Sequence, residues 1–182
     1  ITPDLAVWPG SAQPKLFRSA SIADGEAANV TEVAFGAHTG THLDAPLHFI
    51  DGAIPIEELD LNTLMGPVFV ARISDEVEMI EKEHLEAAQI PETAERLILK
   101  TRNAAKWETD VSSFNEDYVA LAPSAAHWVV ERGIKLVGID HLSVAPFRED
   151  YLVQTHVVLL GAGVIAVEGL RLAAVSYTHL RA

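Results

Sequence analysis

Three histidines and one aspartate crowd into an eleven-residue stretch of the chain. The segment at residues 38–48 reads His-Thr-Gly-Thr-His-Leu-Asp-Ala-Pro-Leu-His, although the 182-residue chain holds only eight histidines. Its ionisable side chains are His38, His42, Asp44 and His48. All four occupy even positions, and alternate residues of an extended chain point to the same side, which makes His42 and Asp44 neighbours. Four uncompensated polar groups on a core face would be costly, so we predict a metal or catalytic site.

The donor types of this segment favour a divalent cation. The chain has no cysteine, so any metal must be held by imidazole and carboxylate groups. Such a donor set suits Zn²⁺, Mn²⁺ or a similar ion, and it does not distinguish between them. Gly40 allows a bend or a close backbone approach between His38 and His42. Pro46 is predicted to end the strand and to redirect His48.

Two later residues are candidates for the same site, and each has an ordinary alternative. His156 lies in an apolar stretch predicted to be helical, and Glu168 ends an apolar strand. A buried carboxylate needs a partner, which for Glu168 is either a metal or Arg171. The alternative for His156 is a core histidine that hydrogen-bonds to the backbone. Asp140 and His141 follow a buried strand, where binding loops form in α/β folds, so a substrate-side role is an alternative for them.

Strand and helix patterns alternate along the chain. The predicted strands are residues 31–38, 66–73, 97–101, 134–139 and 164–167, and the predicted helices are residues 124–132 and 150–160. The first of these strands alternates apolar and polar residues, as a half-buried strand does. Alternation of strands and helices indicates an α/β or α+β fold with a mixed sheet. A length of 182 residues indicates one domain.

Composition excludes several classes of partner. The formal net charge is −13, which repels the phosphate backbone of nucleic acids and the anionic face of a membrane. No apolar run approaches the roughly 20 residues that span a bilayer. The absence of cysteine excludes disulfide scaffolds and fits a reducing compartment, so we expect a cytoplasmic protein.

The segment HTGTHLDAPLHF at residues 38–49 resembles the signature of the cyclase family of metal-dependent hydrolases, which includes bacterial kynurenine formamidase and isatin hydrolase. The likeness extends from the VWPG motif at residues 7–10 to residues 168–170. It implies a cyclase-like domain over residues 1–174, with a mixed sheet or barrel-like core and flanking helices of the swivelling β/β/α type. Residues 175–182 replace a further core strand of the family, and we expect them to be a non-native or truncated tail.

The resemblance also implies a role for each candidate residue. The implied metal ligands are His38, His42, Asp44, His156 and Glu168. Asp44 would bridge to a second metal, and His156 and Glu168, twelve residues apart, would complete the binuclear site. His48 would be the catalytic proton donor and acceptor. Trp8, from the VWPG motif, would contact the substrate.

The activity implied by the resemblance is hydrolysis of a C–N bond with divalent metal, two ions of Zn or Mn per chain. The expected reaction is that of an arylformamidase, which converts N-formylkynurenine to kynurenine and formate through a metal-activated water. One alternative is hydrolysis of a cyclic amide such as isatin. Another is a non-catalytic metal-binding member that is truncated at its C-terminus. The partners implied are a small aryl amide substrate and further copies of the chain, as a dimer or a tetramer.

Overall fold

A computed structural model describes residues 1–174 and the backbone of residues 180 and 181. Its strands are β1 (Lys15–Ala20), β2 (Val30–Ala34), β3 (His42–Asp44), β4 (Pro67–Arg72), β5 (Arg96–Lys100), β6 (Leu136–Ile139), β7 (Ile165–Glu168) and β8 (Leu180–Arg181). Its α-helices are α1 (Leu61–Leu64), α2 (Lys82–Ala87), α3 (Lys106–Thr109), α4 (Pro123–Glu131) and α5 (Glu149–Gly161). Short 3₁₀ turns join several of these elements, among them one over Pro46–His48.

The centre of the molecule is a mixed sheet with the strand order β3-β7-β6-β5-β4. Strands β4 to β7 run parallel, and β3 pairs antiparallel with β7 at one edge. All residues of β5 and β6 are buried, as expected for parallel strands that are covered on both faces. The mixed α/β sheet that the sequence predicts is therefore confirmed.

Two apolar clusters cover the two faces of this sheet. The larger one packs α2, α4 and α5 against one face, where Leu97, Leu99 and Val137 are fully buried. The smaller one surrounds Ile98 and Leu136 on the other face. Successive residues of a strand point to opposite faces, so β5 contributes to both clusters. The sheet is thus packed on both faces, and it carries the strands β3 and β7 at one edge.

The predicted elements match the structure to within two residues at each end, with one exception. The predicted strand over residues 31–38 ends at Ala34, and His38 lies in a turn. The expectation that this strand is half-buried is wrong, because every residue of β2 is exposed. The physical reason is that β2 pairs with β1 in a separate hairpin instead of joining the central sheet.

The predicted tail falls largely outside the described residues. Residues 175–179 and 182 are not described, and the backbone of residues 180 and 181 pairs antiparallel with Pro67 and Val68 of β4. The domain boundary at residue 174 therefore stays a prediction. Among the described helices, none has the length and apolar character needed to cross a membrane.

Candidate metal centre

The pairing of β3 with β7 brings two distant parts of the chain together. His42 lies directly opposite Glu168 in the antiparallel register, so both side chains stand on the same face. The backbones cross closely just beyond this pair, because Gly169 lacks a Cβ that would fall 2.2 Å from the carbonyl oxygen of Gly40. Thr41 fixes the crossing by donating its hydroxyl to the Gly169 carbonyl at 2.8 Å. The register therefore places an imidazole beside a carboxylate.

A first cluster of possible ligands consists of His38, His42 and Asp44. Their ligand atoms all lie within 4.8 Å of one another. Nδ1 of His38 lies 2.8 Å from one oxygen of Asp44, and Nε2 of His42 lies 3.4 Å from the same oxygen. Nδ1 of His42 is 3.0 Å from the Gly40 carbonyl oxygen and donates to it, which turns Nε2 toward the carboxylates. This orientation through the second ring nitrogen is usual for metal-ligating histidines.

A second cluster joins Asp44 to His156 and Glu168. Nε2 of His156 lies 3.2 Å from Oε1 of Glu168 and 3.7 Å from Oδ2 of Asp44. Its Nδ1 donates to the Leu152 carbonyl oxygen, one helical turn earlier, at 2.7 Å. Asp44 belongs to both clusters and uses a different oxygen toward each, so a cation in either cluster would lie beside this carboxylate.

The structure decides between the alternatives for Glu168, His156 and Asp140. Arg171 pairs with the exposed Glu108 at 2.8 Å, so an ion pair between Arg171 and Glu168 is wrong. Both alternatives apply to His156, because Nδ1 donates to a backbone carbonyl oxygen and Nε2 faces carboxylates. The Asp140 carboxylate is fully buried and bonds to the backbone and side chain of Thr101, which gives no support to a substrate-side role.

The donor set fits a divalent cation because two of its buried atoms lack hydrogen bonds. Within the described part of the chain, Nε2 of His42 and Oδ2 of Asp44 are both buried and have no hydrogen-bond partner. Leaving such a group unsatisfied costs about 1–3 kcal/mol, more when it is charged. Both atoms belong to the clusters above, where a cation would satisfy them. Imidazole and carboxylate groups in this number suit Zn²⁺ or Mn²⁺.

The histidines and carboxylates of the two clusters shift one another's pKa values. Burial alone would lower the pKa of His42, but the carboxylates of Asp44 and Glu168 outweigh burial and raise this pKa to about 10. The pKa of His156 is likewise raised by Glu168, against the effect of burial. Burial would raise the pKa of Asp44, yet the donors on His38 and His42 hold it well below its usual range. A proton therefore occupies the His42 imidazole at neutral pH, and a metal would need that imidazole in the neutral form.

We expect metal binding to release protons at neutral pH. His42 is protonated in the metal-free chain at pH 7, and only a neutral imidazole binds a metal. Because its folded pKa is raised, His42 stabilises the metal-free fold fully below about pH 6.5, and this contribution is lost as the pH rises through about 10. Calorimetric Zn²⁺ titrations in two buffers of different ionisation enthalpy should give different heats. Equal heats in both buffers would contradict the proposed protonation.

A cavity of about 230 Å³ opens above the ligands. It is lined by Trp8, Ser11, His38, His48, Phe49, Leu142, Ser143, Leu152, His156 and Glu168. The Trp8 ring meets Phe114 and Phe147 edge-on, with centroids 5.2 Å away in each case. Three of the predicted ligands and Trp8 thus face one aromatic-walled space, in which an aryl group could lie against Trp8.

His48 reaches this cavity from the 3₁₀ turn that Pro46 begins. Its ring stacks on that of His38 with centroids 3.9 Å apart. Partial burial lowers the pKa of His48, although the carboxylate of Asp44 works in the opposite direction. The imidazole is therefore neutral at pH 7 and able to accept a proton. The structure thus brings all seven predicted site residues to one centre.

Two contributors to the site were not predicted from the sequence. The Phe49 ring stacks on His156, with centroids 4.1 Å apart and an angle of 7° between the planes, and so holds that imidazole in place. The backbone N–H of Val144 donates to Oε1 of Glu168 at 2.7 Å. Phe49 adjoins the histidine-rich segment, and its position was the one available signal. A backbone donor such as that of Val144 leaves no trace in residue type.

Comparison with known proteins gives the family of the chain. The Cyclase family model matches residues 1–146. The chain belongs to the Cyclase family. Among its members, Cyclase-like protein 3 of Oryza sativa is 35% identical over 177 residues, which cover 93% of this chain and 64% of that protein. The chain therefore spans just under two thirds of the length of this relative.

Other relatives and solved structures carry names that describe an activity. Kynurenine formamidase of Bacillus thuringiensis is 33% identical over 153 residues, covering 84% of this chain and 70% of that protein. A solved structure described as a potential metal-dependent hydrolase with cyclase activity superposes with a TM-score of 0.81 at 30% identity, over 98% of this chain and 82% of its own. Isatin hydrolase A of Labrenzia aggregata, at 22% identity and a TM-score of 0.75 over 93% of this chain and 77% of its own, shares the fold.

Proposed function

We propose that this chain is a metal-dependent amide hydrolase, and specifically an arylformamidase that converts N-formylkynurenine to kynurenine and formate. The observation that carries the proposal is the buried Asp44, which belongs to two donor clusters whose members His38, His156 and Glu168 line an aromatic-walled cavity. The 33% identity with a kynurenine formamidase supports the choice of substrate.

Five side chains would hold the metal, with two ions of Zn or Mn per chain. These are His38, His42, Asp44, His156 and Glu168. When bound, a divalent ion lowers the pKa of a coordinated water from 15.7 to about 7 and polarises a carbonyl oxygen. Asp44 and Glu168 together bring a charge of −2, which leaves two divalent ions with an excess of positive charge for that oxygen.

Side chains of the cavity wall would transfer protons and orient the substrate. His48 is positioned to accept a proton from the attacking water and to donate it to the leaving nitrogen of the amide. Its lowered pKa leaves the imidazole in the accepting form at neutral pH. Trp8 would orient the aryl ring of the substrate, and the ring of Phe49 would keep His156 in place.

The proposal is tested by turnover of N-formylkynurenine with the protein loaded with Zn²⁺ or Mn²⁺. We expect formation of kynurenine, which a chelator abolishes and added metal restores. Metal-loaded, folded protein that hydrolyses no aryl formamide would refute the assignment.

A cyclic amide such as isatin is a second candidate substrate, and one feature of the cavity favours it. Among the described residues that line the cavity there is no lysine or arginine. The carboxylate of N-formylkynurenine would therefore find no cation in the wall, whereas an uncharged ring amide needs none. Assays of N-formylkynurenine and isatin side by side decide between them. Metal binding without turnover of either substrate would favour the non-catalytic alternative.

We infer that the hairpin of β1 and β2 packs against a second copy of the chain. Every residue of both strands is exposed except the half-buried Ala20, and large apolar side chains such as Phe17 and Val33 point into solvent on both faces. A two-stranded hairpin is marginally stable by itself in water. Strand β1 carries Lys15 and Arg18 and no acidic residue, so it complements the acidic surface of a chain with a net charge of −13.

Light scattering coupled to size-exclusion chromatography tests this inference. We expect the chain to elute as a dimer or larger, and the double variant Phe17→Ser/Val33→Ser to shift toward the monomer. Val157→Ser, an exposed apolar position on α5, is the matched control and should leave the mass unchanged. A monomeric wild-type chain would refute the inference.

A further inference from the structure

The loop that follows β6 forms hydrogen bonds to the predicted ligand Glu168 and to the next residue, Gly169. The N–H of Val144 donates to Oε1 of Glu168 at 2.7 Å. The carbonyl oxygen of His141 accepts the N–H of Gly169, the next residue along from the ligand, at 2.6 Å. A shift of this loop would therefore move the carboxylate directly and would also displace the backbone that carries it.

A buried carboxylate anchors the start of this loop. Asp140 is fully buried, and its Oδ2 accepts the backbone N–H of Thr101 at 2.7 Å. Its Oδ1 accepts the Thr101 hydroxyl at 2.8 Å and the side-chain amide of Asn103 at 3.4 Å. Thr101 directly follows β5, so these bonds tie the C-terminal ends of β5 and β6 together. The Trp107 indole N–H adds a bond to the carbonyl oxygen of Asp140 at 2.8 Å.

Burial of the Asp140 carboxylate carries a desolvation cost, which its hydrogen bonds offset. Burying a carboxylate is unfavourable unless hydrogen bonds compensate, and a well-packed apolar residue at the end of a strand avoids that cost. The hydrogen bonds of Asp140 fix the start of the loop between β6 and α5, and Val144 lies within this loop. A fixed loop matters because Oε1 of Glu168 lies 3.2 Å from His156, while Oε2 lies 3.4 Å from His42.

We propose that Asp140 is a positioning residue of the metal centre, which fixes the loop so that the Val144 amide holds Glu168 in its ligating orientation. The inference rests on the proposed function only in that the clusters bind a divalent ion. Removal of a residue that orients a metal ligand typically weakens metal binding by about 10–100-fold. The same range is expected for Asp140.

The test is the Zn²⁺ affinity of the Asp140→Asn variant, measured by competition with a chromogenic chelator. Asparagine keeps the shape, but its amide nitrogen would face a donor in either orientation, which is the backbone N–H of Thr101 in one and the side-chain amide of Asn103 in the other. We expect Zn²⁺ binding to weaken by about 10–100-fold, with kcat restored when Zn²⁺ is saturating. Asp117→Asn, at a carboxylate whose side chain is 93% exposed, should bind Zn²⁺ like the wild type.

Loss of stability needs its own control, because Asp140 is buried. Leu85→Ala removes a fully buried side chain from α2 and should lower the melting temperature without changing Zn²⁺ affinity. If Asp140→Asn does not fold, Thr101→Val removes one of the two Thr101 donors and should weaken Zn²⁺ binding in the same direction. Wild-type affinity in the folded variant, or in Thr101→Val if only that variant folds, would overturn the proposal.

These outcomes separate the inference from the proposed function. A wild-type chain that binds Zn²⁺ but hydrolyses no amide refutes the proposed activity and leaves the role of Asp140 measurable through affinity. A wild-type chain that binds no divalent ion refutes both. A variant with normal Zn²⁺ affinity and normal activity refutes only the positioning role.

Discussion

Replacing His48 with alanine is expected to lower kcat by about 10²–10⁴-fold, the usual contribution of a general acid and base. The imidazole faces the cavity, stacks on His38 and belongs to neither ligand cluster. Its removal should therefore take away proton transfer and leave the metal. His48→Gln fills the same space without a group that titrates near neutral pH, so it should be similarly impaired.

The measurement pairs kcat with the metal content of each variant. His127→Ala, at an exposed position on α4, is the matched control and should keep both. A His48→Ala chain that retains its metal and turns over at the wild-type rate would show that His48 has been given the wrong role. Loss of metal along with turnover would place His48 among the groups that support the ligands.

Asp44→Asn is expected to have the largest effect of any single change, because both clusters share this carboxylate. The substitution removes the negative charge of Asp44, a residue that is 1% exposed and lies between three imidazoles. Metal affinity should fall by more than the roughly 10–100-fold that loss of a supporting partner causes. Turnover should fall with it, and excess metal should not restore it fully.

Metal analysis after dialysis, together with activity at increasing Zn²⁺ concentration, measures this effect. Asp51→Asn changes an exposed carboxylate seven residues further along and should behave as the wild type. Full metal occupancy in Asp44→Asn would mean that the ion is held elsewhere, and the shared-ligand geometry would then be wrong.

The first cluster was open to prediction because its ligands are local. His42 and Asp44 are two residues apart on one strand, so their common direction follows from the pleat alone. The neighbouring His38 was also identified, although it lies in a turn and not on the predicted strand. A short-range pattern of residue types therefore located this half of the site.

The second cluster depends on long-range pairing, which residue types do not specify. Glu168 meets His42 through an antiparallel register of three residue pairs, too short to leave an alternation pattern. Their association came from a family resemblance and not from physical reasoning on the chain. The contact of Val144 with Glu168 was not predicted for a similar reason, and Asp140 was considered only for a substrate-side role. Both contacts depend on the path of the loop between β6 and α5, which residue types do not specify.

The exposed hairpin shows a different limit. Alternation in β2 predicts one buried face, yet side chains on both faces are exposed. The pattern is that of a strand whose apolar face packs against another element, and among the described strands β2 pairs with β1 alone. An alternating pattern predicts that an apolar face packs against another element. It does not specify whether that element belongs to the same chain or to another one.

The proposal that both clusters around Asp44 bind divalent ions is tested most directly by anomalous diffraction. Metal-loaded crystals are measured at the absorption edge of the added ion. We predict strong peaks on both sides of Asp44, one near His38 and His42 and the other near His156 and Glu168, at ligand distances of about 2.0–2.2 Å. An ion bound by other residues, or crystals soaked in Zn²⁺ or Mn²⁺ without a peak beside Asp44, would contradict it.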